Sequence, residues 1–185
     1  MRVIAGRFKG AALAAPKSQT VRPTSDRLRE SLFNILVHGY GDPVTDTRVL
    51  DLFSGTGALG IEALSRGARY CLFVDDSTEG RALIRRNTET LGLTGATKIW
   101  RRDATKLGPV GTLQPFPLAF LDPPYGRGLG EAALASALAG GWLTPGALCV
   151  LEEEATAEIA LPDGVELIER RDQGESALHF LRVAG

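Results

Sequence analysis

From Arg48 onward, short apolar runs alternate with stretches of helical period. Strands are expected near residues 48–53, 70–75, 97–101, 118–122, 147–152, 165–171 and 176–183, and helices near 58–66, 78–91 and 129–139. Such alternation signals βαβ units and therefore an α/β protein with a mostly parallel sheet. Residues 172–175 separate the last two runs by too little chain for a helical crossover, so the final strand is expected to be antiparallel. The first 40 residues have a different rhythm. Residues 2–15 read as a small hairpin turning at Lys9-Gly10, and residues 16–23 as a linker. Thr24 or Ser25 is placed to cap a helix that carries Leu28, Leu32, Ile35 and Leu36 on one face and ends near Gly39. The chain divides accordingly into an appendage (1–40) and a main domain (41–185). The uncharged stretch 132–151 is long enough for a membrane helix, but Gly140-Gly141 and Pro145-Gly146 break it into helix, turn and buried strand.

A length of 185 residues, 44% apolar and 23% charged, fits one folded domain with a short appendage. Taken as an average, the net charge of -1 argues against a polyanionic partner, but the charge is unevenly spread. Residues 1–40 hold seven Lys/Arg against Asp26 and Glu30, a formal +5; the remainder holds 14 basic and 20 acidic residues, a formal -6. A basic arm on an acidic body points to a polyanion at one end. Cys71 and Cys149 lie far apart in apolar runs, and His38 and His179 are the only histidines, so neither a disulfide framework nor a metal site is expected. Two buried cysteines suit the reducing cytoplasm. Arg2, Arg7 and Lys9 interrupt any secretory or membrane segment at the start.

Asp51-Leu-Phe-Ser-Gly55-Thr-Gly57-Ala-Leu-Gly60 lies between the first strand of the main domain and its first helix, with Asp75 following 20 residues after Gly55. Glycines there allow a sharp turn and close approach to a ligand, and the acid can accept from a ribose diol. Spacing alone allows a dinucleotide as well as another adenosine cofactor. Asp51 discriminates, since its carboxylate would repel a pyrophosphate and attract an ammonium or sulfonium. The D-x-F-x-G-x-G pattern resembles the first motif of S-adenosylmethionine-dependent methyltransferases. Phe53, Ser54 and Asp76 join Asp51, Gly55, Gly57 and Asp75 in the expected cofactor set, with Asp103 and Ala104 after the third strand placed by analogy at the adenine.

A second motif, Asp122-Pro123-Pro124-Tyr125, ends the apolar run Leu118–Leu121. Two prolines stiffen the backbone and remove two donors, leaving the Asp122 carboxylate and the Pro123 carbonyl as acceptors. Tyr125 offers a ring for a base. Two acceptors aimed at an exocyclic amine free its delocalised lone pair and stabilise the cationic nitrogen that forms on methylation. Carbon methylation of a pyrimidine would need a cysteine nucleophile, and neither cysteine lies near this loop. Glu152-Glu153-Glu154 reads as a strand end running into solvent, Trp100 and Trp142 as packing residues, and Arg127 as a phosphate contact or a solvated loop residue.

Together with these motifs, Arg2-Val-Ile-Ala-Gly6-Arg7-Phe-Lys9-Gly10 and Arg22-Pro23-Thr24-Ser25-Asp26-Arg27-Leu-Arg29-Glu30-Ser-Leu-Phe33-Asn34 make the chain resemble the bacterial methyltransferases that modify guanine N2 in small-subunit (16S) ribosomal RNA. The matching blocks span roughly the first two-thirds of the chain. The Arg-Pro-Thr block is the most family-specific. The resemblance implies a Rossmann-like seven-stranded sheet, S-adenosylmethionine as cofactor, no metal, and a monomer acting on ribosomal RNA, naked or in the assembled small subunit. It also implies that Arg7, Lys9, Arg22, Arg27 and Arg29 contact phosphates while a guanine is extruded beside Tyr125. Asp75 departs from the expected glutamate, and the tail matches only loosely. The rivals are an adenine-N6 methyltransferase, an NAD(P)-dependent oxidoreductase and a non-catalytic RNA-binding module.

Overall fold

A computed structural model describes residues 1–17 and 24–185. Its elements in chain order are α1 (Asp26–Gly39), β1 (Arg48–Leu52), α2 (Ala58–Ser65), β2 (Tyr70–Val74), α3 (Thr78–Thr90), β3 (Thr97–Trp100), β4 (Phe116–Leu121), α4 (Leu129–Gly140), β5 (Leu143–Glu154), β6 (Val165–Gln173) and β7 (Ser176–Val183). They build one seven-stranded sheet in the order β3-β2-β1-β4-β5-β7-β6. Strands β1 to β5 pair in parallel, and β7 lies antiparallel between β5 and β6. This is the Rossmann-like sheet that the alternating pattern predicts. β5 starts earlier than expected, at Leu143, because a register shift between Phe116 and Leu118 lets Phe116 pair with Leu143.

Strand periodicity sorts the core into two layers. Val49, Phe73, Leu118, Phe120, Leu148 and Val150 face the side covered by α1 and α2, whereas Leu50, Leu72, Ala119, Leu121, Cys149 and Leu151 face α4. Both faces of the parallel strands are therefore buried, which explains their unbroken apolar runs. No helix among the described residues is long and apolar enough to cross a membrane.

The expected N-terminal hairpin is short: beside the antiparallel bridge of Arg2 with Ala12, the Val3 amide donates to the Ala11 carbonyl, the Gly10 amide to the Val3 carbonyl and the Leu13 amide to the Met1 carbonyl, each at 2.9 Å. Its inner residues turn away to dock on α2. The Ile4 and Ala5 amides donate to the Glu62 carboxylate at 2.9 and 3.1 Å, the Phe8 amide donates to Ser65 Oγ at 3.0 Å, and the Arg7 amide to the Ser65 carbonyl at 2.7 Å. These bonds satisfy the amides of the segment between the two arms, which have no partner across the hairpin. Gly6, at φ +87°, is required here: a Cβ would stand 2.0 Å from the Ser65 carbonyl oxygen. Val3 and Leu13 share one core with Leu32, Phe33 and Ile61.

Candidate active site

Strand order reverses between β1 and β4, and a crevice opens outside their carboxyl ends, the place where open α/β sheets bind ligands. The cleft has a volume of about 540 Å³, within the range of small-molecule sites. Phe53, Gly55, Asp75, Asp76, Asp103, Ala104, Asp122, Pro124, Tyr125 and Arg127 line it. Residues from three separate loops, after β1, β2 and β3, thus meet the Asp-Pro-Pro-Tyr loop after β4.

The loop after β1 is held by hydrogen bonds on both sides. Phe53 (φ +56°), Gly55 (φ +57°) and Gly57 (φ +80°) carry it through left-handed conformations, which cost a non-glycine residue such as Phe53 of order 1 kcal/mol. Asp75 accepts from the Gly55 amide at 2.7 Å and from the Ser77 amide at 2.8 Å. Burial nevertheless pushes its carboxyl above the usual carboxylate range, more than these amides lower it. Ser54 is buried, donates to the Asp51 and Val74 carbonyls and accepts from the Val74 amide at 3.0 Å, pinning the loop to β2 without lining the cleft. Gly57 likewise stays behind the lining as the N-cap of α2.

Asp51 lies under this loop and not in the cleft wall. Its Oδ2 accepts from the Gly60 amide at 3.1 Å, while Oδ1 is buried without a partner. Burial raises its carboxyl well above the ordinary value. Asp103 caps the short turn 104–106 through Thr105, whose hydroxyl and amide lower its carboxyl. A lining that carries Asp75, Asp76, Asp103 and Asp122, above an orphaned Asp51 oxygen, fits a cation and a ribose diol and would repel a pyrophosphate.

The Asp-Pro-Pro-Tyr loop is tethered from three directions. Thr24 Oγ1 donates to Asp122 Oδ2 at 2.7 Å across 98 residues of sequence. The Tyr125 hydroxyl donates to Glu152 Oε1, and the Gly126 amide to Glu153 Oε1 at 2.9 Å. The glutamate run therefore does not project into solvent as expected. Glu152 and Glu153 are 4% and 1% exposed and only Glu154 faces water, because the loop after β4 covers the end of β5.

The basic positions divide. Arg7, Lys9 and Arg27 are exposed, and Arg127 is an exposed residue of the cleft wall. Arg29 is fully buried, paired through Nη2 with Asp26 and donating to the Arg2 carbonyl at 2.8 Å. It is a structural cation of α1, out of reach of a phosphate, because its helix face is turned into the core. Arg22 lies outside the described residues. Trp142 is buried and meets Trp100 edge-on, as packing residues should. Sequence reasoning missed Thr24, Glu152 and Glu153. It also missed Arg102, which lines the cleft with its guanidinium 4.5 Å above the Trp100 ring. Arg102, next to the expected Asp103, and Thr24, within the Arg-Pro-Thr block, had a positional signal.

Fold and site define an S-adenosylmethionine-dependent methyltransferase of the Rossmann-like class. The model of the family described as conserved hypothetical protein 95 matches residues 1–182, and the chain belongs to that family. It is 38% identical over 155 residues to ribosomal RNA small subunit methyltransferase D of Escherichia coli K12, covering 83% of this chain and 75% of that protein. The protein of the same name from Haemophilus influenzae is 33% identical over 177 residues, 94% and 89% of the two chains. The solved structure of yhhF, a methyltransferase candidate from Escherichia coli, aligns at a TM-score of 0.83 and 31% identity, over 100% of this chain and 98% of that one. Relatives named as methyltransferases and an acidic lining that would repel a pyrophosphate exclude the nicotinamide alternative: the cofactor is S-adenosylmethionine.

Proposed function

We propose that this protein transfers a methyl group from S-adenosylmethionine to the exocyclic N2 of a guanine in small-subunit ribosomal RNA. One observation carries the reading: Asp122 lines an acidic cleft together with Pro124, Tyr125 and the exposed Arg127. The similarity to ribosomal RNA small subunit methyltransferases D supports the nucleic acid. Gly55, Asp75, Asp76, Asp103 and Ala104 hold the cofactor, which supplies an electrophilic methyl group when bound. The Asp122 carboxylate and the Pro123 carbonyl accept the two N–H bonds of the amine, which raises its nucleophilicity and stabilises the positive charge it acquires. Asp122 then takes the surplus proton, directly or through a water. Tyr125 stacks on the base, and stacking is worth roughly 1–3 kcal/mol. Arg7, Lys9, Arg27 and Arg127 hold phosphates and position the RNA without reading its sequence.

Labelled-methyl transfer to small subunits and to naked ribosomal RNA lacking the modification, followed by nucleoside analysis, tests this. N2-methylguanosine is the expected product; N6-methyladenosine would overturn it in favour of adenine. Asp122→Ala should slow transfer by about 10²–10³-fold, the usual worth of a preorganised charge-stabilising group, with cofactor affinity largely kept.

A further inference from the structure

Adjacent positions of a strand point to opposite faces of a sheet, yet Glu152 and Glu153 at the end of β5 are both buried and both hold the segment after Pro124. A carboxylate taken out of water costs several kcal/mol unless it is hydrogen-bonded, so each has to be satisfied by what covers it. Glu153 Oε1 accepts from the Gly126 amide at 2.9 Å and from the Glu154 amide at 2.8 Å, which fixes backbone. Glu152 Oε1 accepts from the phenol at the tip of the Tyr125 ring. The difference matters. A ring secured only at Cβ swings about its side-chain torsions, whereas one held also at the para hydroxyl keeps a single axis, and the preference of a phenolic O–H for the ring plane biases rotation about that axis toward the acceptor. The support is anchored in the sheet: β5 pairs with β4 up to Leu151, and Glu152 itself stands opposite Leu178 of β7.

We infer that Glu152 is a positioning residue: through the Tyr125 hydroxyl it fixes where the ring stands against which the target base stacks, and so governs turnover without touching the cofactor. This rests on the reading that Tyr125 receives the extruded base. Glu152 reaches that base through the ring, and in-line transfer is sensitive to misplacement on the scale of an ångström.

A double-mutant cycle on the full chain tests it, with kcat, KM for small subunits and cofactor affinity measured for each protein. Tyr125→Phe removes the hydroxyl and keeps the ring; Glu152→Ala removes the acceptor; Glu152→Gln keeps a neutral one. Tyr125→Phe and Glu152→Ala should each lower kcat about tenfold, the worth of one charge-assisted hydrogen bond. The double variant should be no slower than either single one, Glu152→Gln should recover most of the rate, and cofactor affinity should stay within about twofold of wild type. Multiplying losses, or a Tyr125→Phe enzyme with full kcat, would overturn the inference; the second result stands even if Glu152→Ala fails to fold. All rates are read on whichever nucleoside the wild type methylates. A product other than N2-methylguanosine therefore overturns the substrate reading, while an additive cycle overturns the role of Glu152.

Discussion

Asp75 joins two requirements in one carboxylate. It organises the glycine loop through the Gly55 amide and faces the cleft that takes a cationic cofactor. Burial raises its carboxyl, so the folded protein holds that proton more tightly than an unfolded chain does. Protonation at this site therefore favours the fold, an effect that grows as pH falls through the raised value, and it opposes cofactor binding, which needs the ionised form. Affinity for S-adenosylmethionine should decline on acidification, starting above the ordinary carboxylate range, in calorimetry between about pH 8 and 5. Asp75→Asn should weaken binding by about tenfold or more, as expected for a lost hydrogen bond to a charged group, and flatten the profile. A steep profile in that variant would assign the titration elsewhere. The position of Asp75 was legible from its spacing to Gly55. Glu152 was not, because a carboxylate at a strand end looks the same whether water or a tyrosine covers it.

Helix α1 shows how one element divides its basic residues between structure and surface. Ser25 caps it, accepting from the Leu28 amide at 3.1 Å, which leaves Thr24, the other expected cap, to bind Asp122. Arg27 points to solvent while Arg29, two residues on, is buried against Asp26. Asp26→Ala removes the counter-ion of a buried guanidinium and should cost about 3 kcal/mol in urea unfolding. Arg27→Ala should stay within about 0.5 kcal/mol of wild type, as exposed substitutions do, while weakening RNA binding. Equal stabilities for the two variants would contradict this division of roles. The extent of α1 could be read from its apolar period. Which arginine it buries could not, since that depends on the rotation of the helix against the sheet.

Across the whole molecule, a formal +5 on the first 40 residues stands beside a formal -6 on the remainder, and Thr24 ties the basic segment to Asp122 of the cleft. RNA binding should weaken steeply with salt because it releases counterions from phosphates, while cofactor binding, with a single cation in a partly enclosed cleft, should change little. Replacing Arg7 and Lys9 together by Ala should reduce the slope of log affinity against log salt by about 1.5, read from filter binding over a salt series. An unchanged slope would remove these two residues from the interface. The strands, the helices, the glycine loop, the acidic residue beyond it and the Asp-Pro-Pro-Tyr loop were all determined by the sequence. Apolar period, glycine spacing and proline stiffness act within a few residues and need no partner. Only the tertiary structure decided that Thr24 reaches Asp122, that Glu152 and Glu153 hold the loop 27 residues before them, that Arg29 is buried, and that the N-terminal hairpin is stitched to α2. Each of those contacts joins groups far apart in the chain, and hydrogen-bond satisfaction of buried polar groups is settled only when the covering segments are in place.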